Sequence, residues 1–185
     1  MDEYGMMGLA ALAELNYLRL EAMDLFERCL AEGRTDSLEN FIEQQISRDP
    51  PRLELLREMA EDVNQRLLGL REYRYDILER AWRMINEEFD MLVEYIGQPE
   101  AIESLDFGMI ERDSRLAEQL SQEERMLLRK MLDASRETAA QLRSDIVMTE
   151  RLYHYLLDWV DGLSVVFMQR YWASDRKDDN DTSVH

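Results

Sequence analysis

The sequence predicts an all-α fold, an elongated helical bundle built around a long antiparallel helical hairpin of coiled-coil type. Three stretches carry apolar residues at helical spacing. Two of them, residues 51–96 and 122–172, far exceed the roughly 11 to 12 residues of an average globular helix. The chain has seven Gly and three Pro in 185 residues, whereas strand-rich folds need more turn residues. Its hydrophobic content of 45% can supply a core, so we expect one folded domain over residues 1–173.

The first helix is expected over residues 4–31, and the Gly33 that follows provides its stop. Its apolar surface is broad, which predicts contact with more than one neighbour, either within the bundle or across a dimer interface. One apolar stripe is formed by Leu15, Leu18, Ala22, Leu25 and Cys29, and it is widened by Leu9, Leu12, Met23, Phe26 and Leu30.

A second, short helix is predicted next. Asp36 and Glu39, three residues apart, have the spacing of a capping box, so Asp36 is the expected N-cap. The buried side of this helix is expected to contain Leu38, Phe41, Ile42 and Ile46.

The third helix is expected to begin at Pro51, because a proline at the first helical position loses no intrahelical hydrogen bond. Gly97 and Pro99 mark its end. Between them the residues at heptad spacing are apolar except for Arg74 and Glu88, and this seam reads Leu56, Ala60, Val63, Leu67, Leu70, Arg74, Ile77, Ala81, Met84, Glu88, Met91 and Tyr95.

Residues 100–120 are less regular, with a break expected at Phe107-Gly108 and a short helix over residues 109–119. Ser121 and Glu124 form a capping box that opens the last helix. The tail, residues 174–185, is rich in Asp and Asn and is predicted to be disordered and acidic. The seam of the last helix reads Leu128, Leu132, Ser135, Ala139, Leu142, Ile146, Thr149, Tyr153, Leu156, Val160, Leu163 and Phe167.

The two long helices are expected to pack antiparallel, since their connection is too short to carry the chain back along a rod of roughly 70 Å. The first helix, about 42 Å long at 1.5 Å per residue, covers part of their seam. A monomer would leave an apolar strip exposed, so the sequence predicts a homodimer.

The 40 acidic and 22 basic residues give a net charge of −18, which opposes direct binding to nucleic acid or to an anionic membrane surface. A protein partner, preferably basic, is therefore expected. No stretch approaches the roughly 18 uncharged apolar residues of a membrane span, so no membrane insertion is predicted. Cys29 is the only cysteine and the chain opens on Asp2 and Glu3 instead of basic residues, which together favour a cytoplasmic location.

Residue groups that could carry chemistry are few. Glu150, His154 and Asp158 share one helical face and could ligate a divalent ion, but a di-metal bundle site needs two Glu-x-x-His motifs and the chain has two histidines in all. The alternative makes His154 a residue at the edge of the core. Cys29 lies in an apolar stripe, where a thiol packs as a small core residue. The sequence contains no Gly-rich phosphate loop, no GxSxG and no HExxH motif, so no enzyme, metal or cofactor is expected.

Two clusters are candidates for partner binding. Aromatic side chains gather near the end of the last helix, where Tyr155, Trp159, Tyr171 and Trp172 could be core residues or interface anchors. The second cluster, near the N-terminus, contains Met6, Met7 and Leu9, which could form an adaptable binding surface or simply pack in the core.

These observations predict a non-enzymatic helical protein–protein interaction module, acting as a dimeric adaptor, regulator or scaffold. One alternative is a cytoplasmic chaperone of the secretion type, which would hold a protein client. Another is an acidic mimic of nucleic acid that occupies the basic groove of a nucleic-acid-binding protein. The last is a metal-dependent enzyme built on His154.

Overall fold

The structure is a computed structural model. It describes the backbone of residues 3–88, 97–106, 108, 112, 118 and 120–181. It describes the side chains of residues 8–87, 97–106, 108, 112, 118 and 120–169. The all-α class is confirmed, since the regular elements of this described part are all helices. None of its helices combines the length and the apolar character needed to cross a lipid bilayer.

The first helix, α1, spans Glu3–Glu32, close to the prediction. It ends at Gly33, whose φ of 69° lies in the left-handed region that glycine adopts without strain. The next backbone N–H, that of Arg34, donates to the carbonyl of Cys29 at 3.2 Å, which closes the last turn as a Schellman motif.

The second helix, α2, spans Asp36–Ile46, and its N-cap is Thr35 instead of the predicted Asp36. The carbonyl of Thr35 accepts the N–H groups of Leu38 and Glu39 at 3.1 and 3.0 Å, and its hydroxyl donates to the Glu39 carboxylate at 2.6 Å. Asp36 therefore lies inside the first turn, where its negative charge favours the positive end of the helix dipole. The buried side matches the prediction at three positions and differs at Gln45, which is buried, while Ile46 is half-buried.

The third helix, α3, spans Leu53–Glu88, so it begins shortly after the predicted Pro51. The rest of the predicted helix, residues 89–96, lies outside the described residues. A short 3₁₀ helix, Pro99–Glu103, follows. Most of the predicted helix over residues 109–119, together with Phe107, also lies outside the described residues.

The last helix, α4, spans Gln122–Asp181. Its predicted capping box is confirmed: the N–H of Ser121 donates to the Glu124 carboxylate at 2.7 Å, and the N–H of Glu124 donates to the Ser121 hydroxyl at 3.3 Å. The helix continues beyond the predicted end at Trp172 into the segment 174–185 for which disorder was expected. No glycine or proline follows Trp172 to interrupt helical backbone.

The chain divides into two compact units, and α3 and α4 contribute residues to both. The first unit comprises residues 1–66 and 148–185, and the second comprises residues 67–147. The core of the first unit combines α1, α2, α3 and α4 through Ala22, Phe26, Cys29, Leu38, Phe41, Ile42, Leu55, Leu56, Met59, Ala60, Val63, Leu152 and Leu156. The predictions of a single domain and of an antiparallel hairpin stay predictions.

The second unit has its own core, in which α3, the 3₁₀ helix and α4 meet through Leu78, Ala81, Ile85, Ile102, Leu128, Leu132 and Ala139. Arginines of both long helices hold the 3₁₀ helix. Arg74 donates to the Glu103 carboxylate at 2.6 and 3.2 Å, Arg143 contacts the same carboxylate, and Arg136 donates to the carbonyl of Ile102 at 2.8 Å.

The predicted seam of α3 is correct from Leu56 to Leu70 and at Ala81, and it is shifted by one residue at two other positions. Leu78 and Ile85 are fully buried, whereas the predicted Met84 is 44% exposed and Ile77 is half-buried. A straight α-helix drifts by about 20° per heptad, so four heptads accumulate about 80°, close to the 100° between neighbouring residues. In α4 the predicted seam residues Thr149 and Leu156 are buried, and Leu152 between them is also buried while the predicted Tyr153 is half-buried.

Candidate interaction surface

The side of α1 that faces away from the core is apolar and exposed. The four large side chains on it, in chain order, are 60, 54, 68 and 71% exposed, and they belong to Leu9, Leu12, Tyr17 and Leu20. The smaller side chains of Ala13 and Asn16 lie between them and are also exposed. We call Leu9, Ala13, Asn16 and Leu20 the outer stripe, because steps of 4, 3 and 4 residues place these positions along one line of the helix.

Both charged residues between Gly8 and Leu20 are in ion pairs, one with Arg52 just before α3 and one with residues of α3. The Arg52 guanidinium contacts the Glu14 carboxylate. On the other flank, Arg19 makes a two-pronged contact with Asp62 and lies 2.8 Å from the Glu58 carboxylate. The hydrogen bond to Asp62 raises the pKa of Arg19, so the guanidinium stays charged. The outer stripe between these flanks therefore carries no charge of its own.

An apolar cavity of about 540 Å³ opens beside α1 in the first unit. Leu15 and Leu18 of α1 line it together with Leu53 of α3 and Phe167 of α4, and the ion pair of Glu14 and Arg52 lies at its wall. A cavity of this size falls in the range of small-ligand and peptide side-chain sites. It offers an apolar binding site with one charged pair on its wall.

A second cavity, of about 550 Å³, lies between α1 and α3. Its lining includes the ion pair of Arg19 and Asp62, and also Asn16 and Leu20 of the outer stripe. A ligand that covers the outer stripe would therefore also reach this more polar cavity.

The predicted aromatic cluster of α4 is partly a core feature. Tyr155 and Trp159 are half-buried, pack against the first core and contact each other edge to face, with their ring centroids 6.4 Å apart and their planes at 83°. Tyr171 and Trp172 lie on α4, but their side chains are outside the described residues. Their assignment to partner binding stays a prediction.

Of the predicted N-terminal cluster, Leu9 is exposed, and the side chains of Met6 and Met7 lie outside the described residues. The sequence prediction does not include Tyr17 and Leu20, which are the most exposed large residues among the side chains of α1 that the structure describes. A signal was present, since Leu9, Ala13, Asn16 and Leu20 repeat at heptad spacing beside the predicted stripe, whose members are buried or half-buried. Without the neighbouring helices, however, the sequence could not show which stripe faces outward.

The residues considered for chemistry are not brought together as a site. His154 is exposed and its ring lies against the neighbouring Tyr153, with centroids 5.9 Å apart. Within the described residues, no group of three His, Cys, Asp or Glu side chains could hold a metal ion. Cys29 is buried in the first core, with its sulfur 3.3 Å from the hydroxyl of Ser37.

No protein-family model matches this chain, and comparisons with curated proteins and with solved structures found no match.

Proposed function

We propose that this chain is a non-enzymatic helical protein–protein interaction module that acts as a homodimeric adaptor or scaffold. The observation that carries the proposal is the outward side of α1, where Leu9, Leu12, Tyr17 and Leu20 are each more than half exposed. Contiguous apolar patches on soluble proteins commonly mark interaction sites.

Covering the large side chains on the outward side of α1 would stabilise a complex. Burial of a leucine side chain contributes about 1.5 to 3 kcal/mol relative to full exposure, and tyrosine is enriched at interface centres. Because the four residues are only partly exposed, each can contribute part of that amount. The summed burial free energy of the four side chains favours association, and it is gained only when another molecule covers α1.

The charge of the chain sets the preferred partner of the adaptor. With a net charge of −18, the surface away from the outer stripe attracts basic proteins and repels nucleic acid. Exposed carboxylates such as Asp158 and Asp161 of α4 belong to the first unit, as the outer stripe does. We therefore propose a basic protein as the client of the adaptor. We place it in the cytoplasm, since Cys29 is the only cysteine in the chain.

The proposal is tested by mass spectrometry of proteins that co-purify with the tagged full-length chain from its native lysate. The test variant is Leu20→Glu, which places a charge on the outward side of α1. The matched control is Leu127→Glu, which places the same charge on another exposed leucine, in the second unit. Circular dichroism of both variants checks that the helices remain folded.

We expect a stoichiometric protein partner with the wild type and with Leu127→Glu, and its loss with Leu20→Glu, because the client is expected to bind the homodimer and the outward side of α1 is the surface through which the chain associates. Recovery of the same partner with all three proteins would show that binding of the partner does not require the outward side of α1. Absence of any partner and of self-association would contradict an interaction module altogether.

The cavity beside Phe167 favours a second candidate function, a chaperone that holds a protein client. An apolar cavity of about 540 Å³ could accept one or two large side chains of an unfolded segment. Under this hypothesis the protein suppresses light scattering by an aggregating client, and Phe167→Glu abolishes the suppression. Val147→Glu, at an exposed valine of the second unit, should keep it. Equal suppression by both variants would exclude the cavity as the client site.

A further inference from the structure

We propose that α1 of one chain pairs with α1 of a second copy, in parallel and in register, along the outer stripe. The inference rests on the proposed homodimer and specifies its surface and its orientation. The four outer-stripe residues, Leu9, Ala13, Asn16 and Leu20, follow the 4, 3, 4 spacing of a coiled-coil seam. All four are exposed, whereas Ala22, Phe26 and Cys29 of the same helix are buried in the first core.

The presence of two apolar sides on one helix is the first argument. A helix on the surface of a domain needs one apolar stripe, which packs on the core, and its opposite side is usually charged. Here the opposite side carries heptad spacing instead, and that spacing fits another helix better than it fits a flat or irregular surface.

Charge is the second argument, and it favours a copy of this chain over a basic peptide. The charged side chains beside the stripe already have partners, Glu14 with Arg52 and Arg19 with Asp62 of α3. A basic peptide would therefore meet no free carboxylate along the stripe from Leu9 to Leu20. Two copies of a chain with net charge −18 repel each other over most surfaces, so a neutral stripe is where they can approach.

The flanking residues select the parallel orientation. In a parallel pair, a residue next to the seam contacts the residue five positions later on the other helix. That spacing places Leu12 against Tyr17 of the partner subunit. An antiparallel pair would instead bring Leu12 beside Arg19 of the partner subunit. The parallel pair thus covers two exposed apolar side chains.

Asn16 supports the register. In a parallel pair without offset, Asn16 lies opposite Asn16 of the partner subunit, and the two amides can hydrogen-bond to each other. A shift of register would place each amide against an apolar side chain, which leaves its polar atoms without partners. A single polar residue in an apolar seam therefore favours one alignment.

The size of the patch predicts the strength of the dimer. The outward side of α1 exposes on the order of several hundred Å² of apolar surface, whereas a standard stable interface takes roughly 800 Å² per partner. A reversible dimer with a dissociation constant on the order of micromolar is therefore expected. It should be visible by analytical ultracentrifugation between about 1 and 200 μM, a range that spans such a constant.

The test combines mass and cross-linking on the full chain. The wild type should approach twice the 22.0 kDa mass of the chain as its concentration rises. Ala13→Glu should weaken association at least about tenfold, because it places two like charges across the seam. Ala13→Cys should form a disulfide-linked dimer under mild oxidation, and Val147→Cys, an equally simple change at an exposed site of the second unit, should not. Cys29 stays in place because it is buried.

Each outcome separates the possibilities. A mass of 22.0 kDa at every concentration would overturn this inference. It would also remove the homodimer from the proposed function, and an adaptor would still stand if a stoichiometric partner were recovered with the wild type and lost with Leu20→Glu. If Ala13→Glu still forms a dimer, the chain is a homodimer but α1 does not form its interface. Cross-linking of Ala13→Cys to Asn16→Cys, without self-linking of either variant, would overturn the parallel orientation. Circular dichroism shows whether each variant is folded, and these exposed positions keep the core intact.

Discussion

Arg19 of α1 donates hydrogen bonds from two guanidinium nitrogens to Asp62 of α3, one to each carboxylate oxygen. The planar guanidinium fits a carboxylate in this two-pronged way, which gives the contact a defined geometry that a single lysine nitrogen could not provide. Arg19 also lies 2.8 Å from Glu58, one turn earlier on α3. The contact therefore fixes α1 against α3 at the edge of the outer stripe.

The first prediction concerns the strength of this contact. A double-mutant cycle of Arg19→Ala and Asp62→Ala, measured by urea unfolding, should give a coupling energy of about 1 kcal/mol. The matched control is the pair of Asp24 and Arg28, both on α1 and 3.2 Å apart, for which about 0.3 to 0.5 kcal/mol is expected because both side chains are well exposed. Equal coupling in the two cycles would show that the two-pronged geometry adds nothing.

The second prediction concerns Glu103, whose side chain is 16% exposed and is contacted by both Arg74 and Arg143. Glu103→Ala should lower the free energy of unfolding by about 2 to 3 kcal/mol, because the half-buried Arg74 loses a charged acceptor. Arg143→Ala should cost less than about 1 kcal/mol, because the Arg143 side chain is mostly exposed and Arg74 remains on the carboxylate. The two variants are compared by urea unfolding at the same salt concentration, and the opposite order would contradict this account of the cluster.

The third prediction tests the drift of the α3 seam. Ile85 is fully buried, whereas Met84, which the heptad pattern placed in the seam, is 44% exposed. Ile85→Ala should therefore cost about 2 to 5 kcal/mol, and Met84→Ala should stay within about 0.5 kcal/mol of the wild type. Thermal and urea unfolding of the two variants measure this difference. A larger loss for Met84→Ala would restore the register that the sequence predicts.

Features decided by a few neighbouring residues could be predicted from the sequence. The stop at Gly33 and the capping box of Ser121 and Glu124 each depend on contacts within one turn, so the residue types alone identify them. The N-cap of α2 was assigned to Asp36 instead of Thr35, because both residues can cap and the choice depends on the backbone conformation of Thr35.

Features that depend on distant residues could not be predicted in the same way. A heptad pattern extended over a long helix accumulates a small angular error per turn, which is why Met84 was chosen over Ile85. The interaction surface could not be predicted from the sequence either. Leu18 and Leu20 are equally apolar in the sequence, and only the positions of α3 and α4 show that Leu18 lines a cavity while Leu20 is exposed.

The last prediction concerns the pH dependence of the α4 capping box. Hydrogen bonding of the Glu124 carboxylate to the Ser121 side chain, and then to the Ser121 backbone N–H, lowers the pKa of Glu124 below its ordinary value of 4.5. A carboxylate whose pKa is lowered by folding stabilises the folded state above that ordinary value and loses the contribution as the pH falls through the folded-state pKa. Glu124→Ala should therefore have a lower unfolding midpoint than the wild type at pH 7.

The gap between the midpoints of wild type and Glu124→Ala should remain constant down to about pH 5 and close below about pH 4. Glu123→Ala serves as the control, because it removes a carboxylate from the same first turn while the capping box stays intact. Its midpoint should lie between those of the wild type and Glu124→Ala at pH 7, because it loses the interaction with the helix dipole alone. A gap for Glu124→Ala that stays constant down to pH 3 would show that its effect comes from helix propensity and not from the ionised carboxylate.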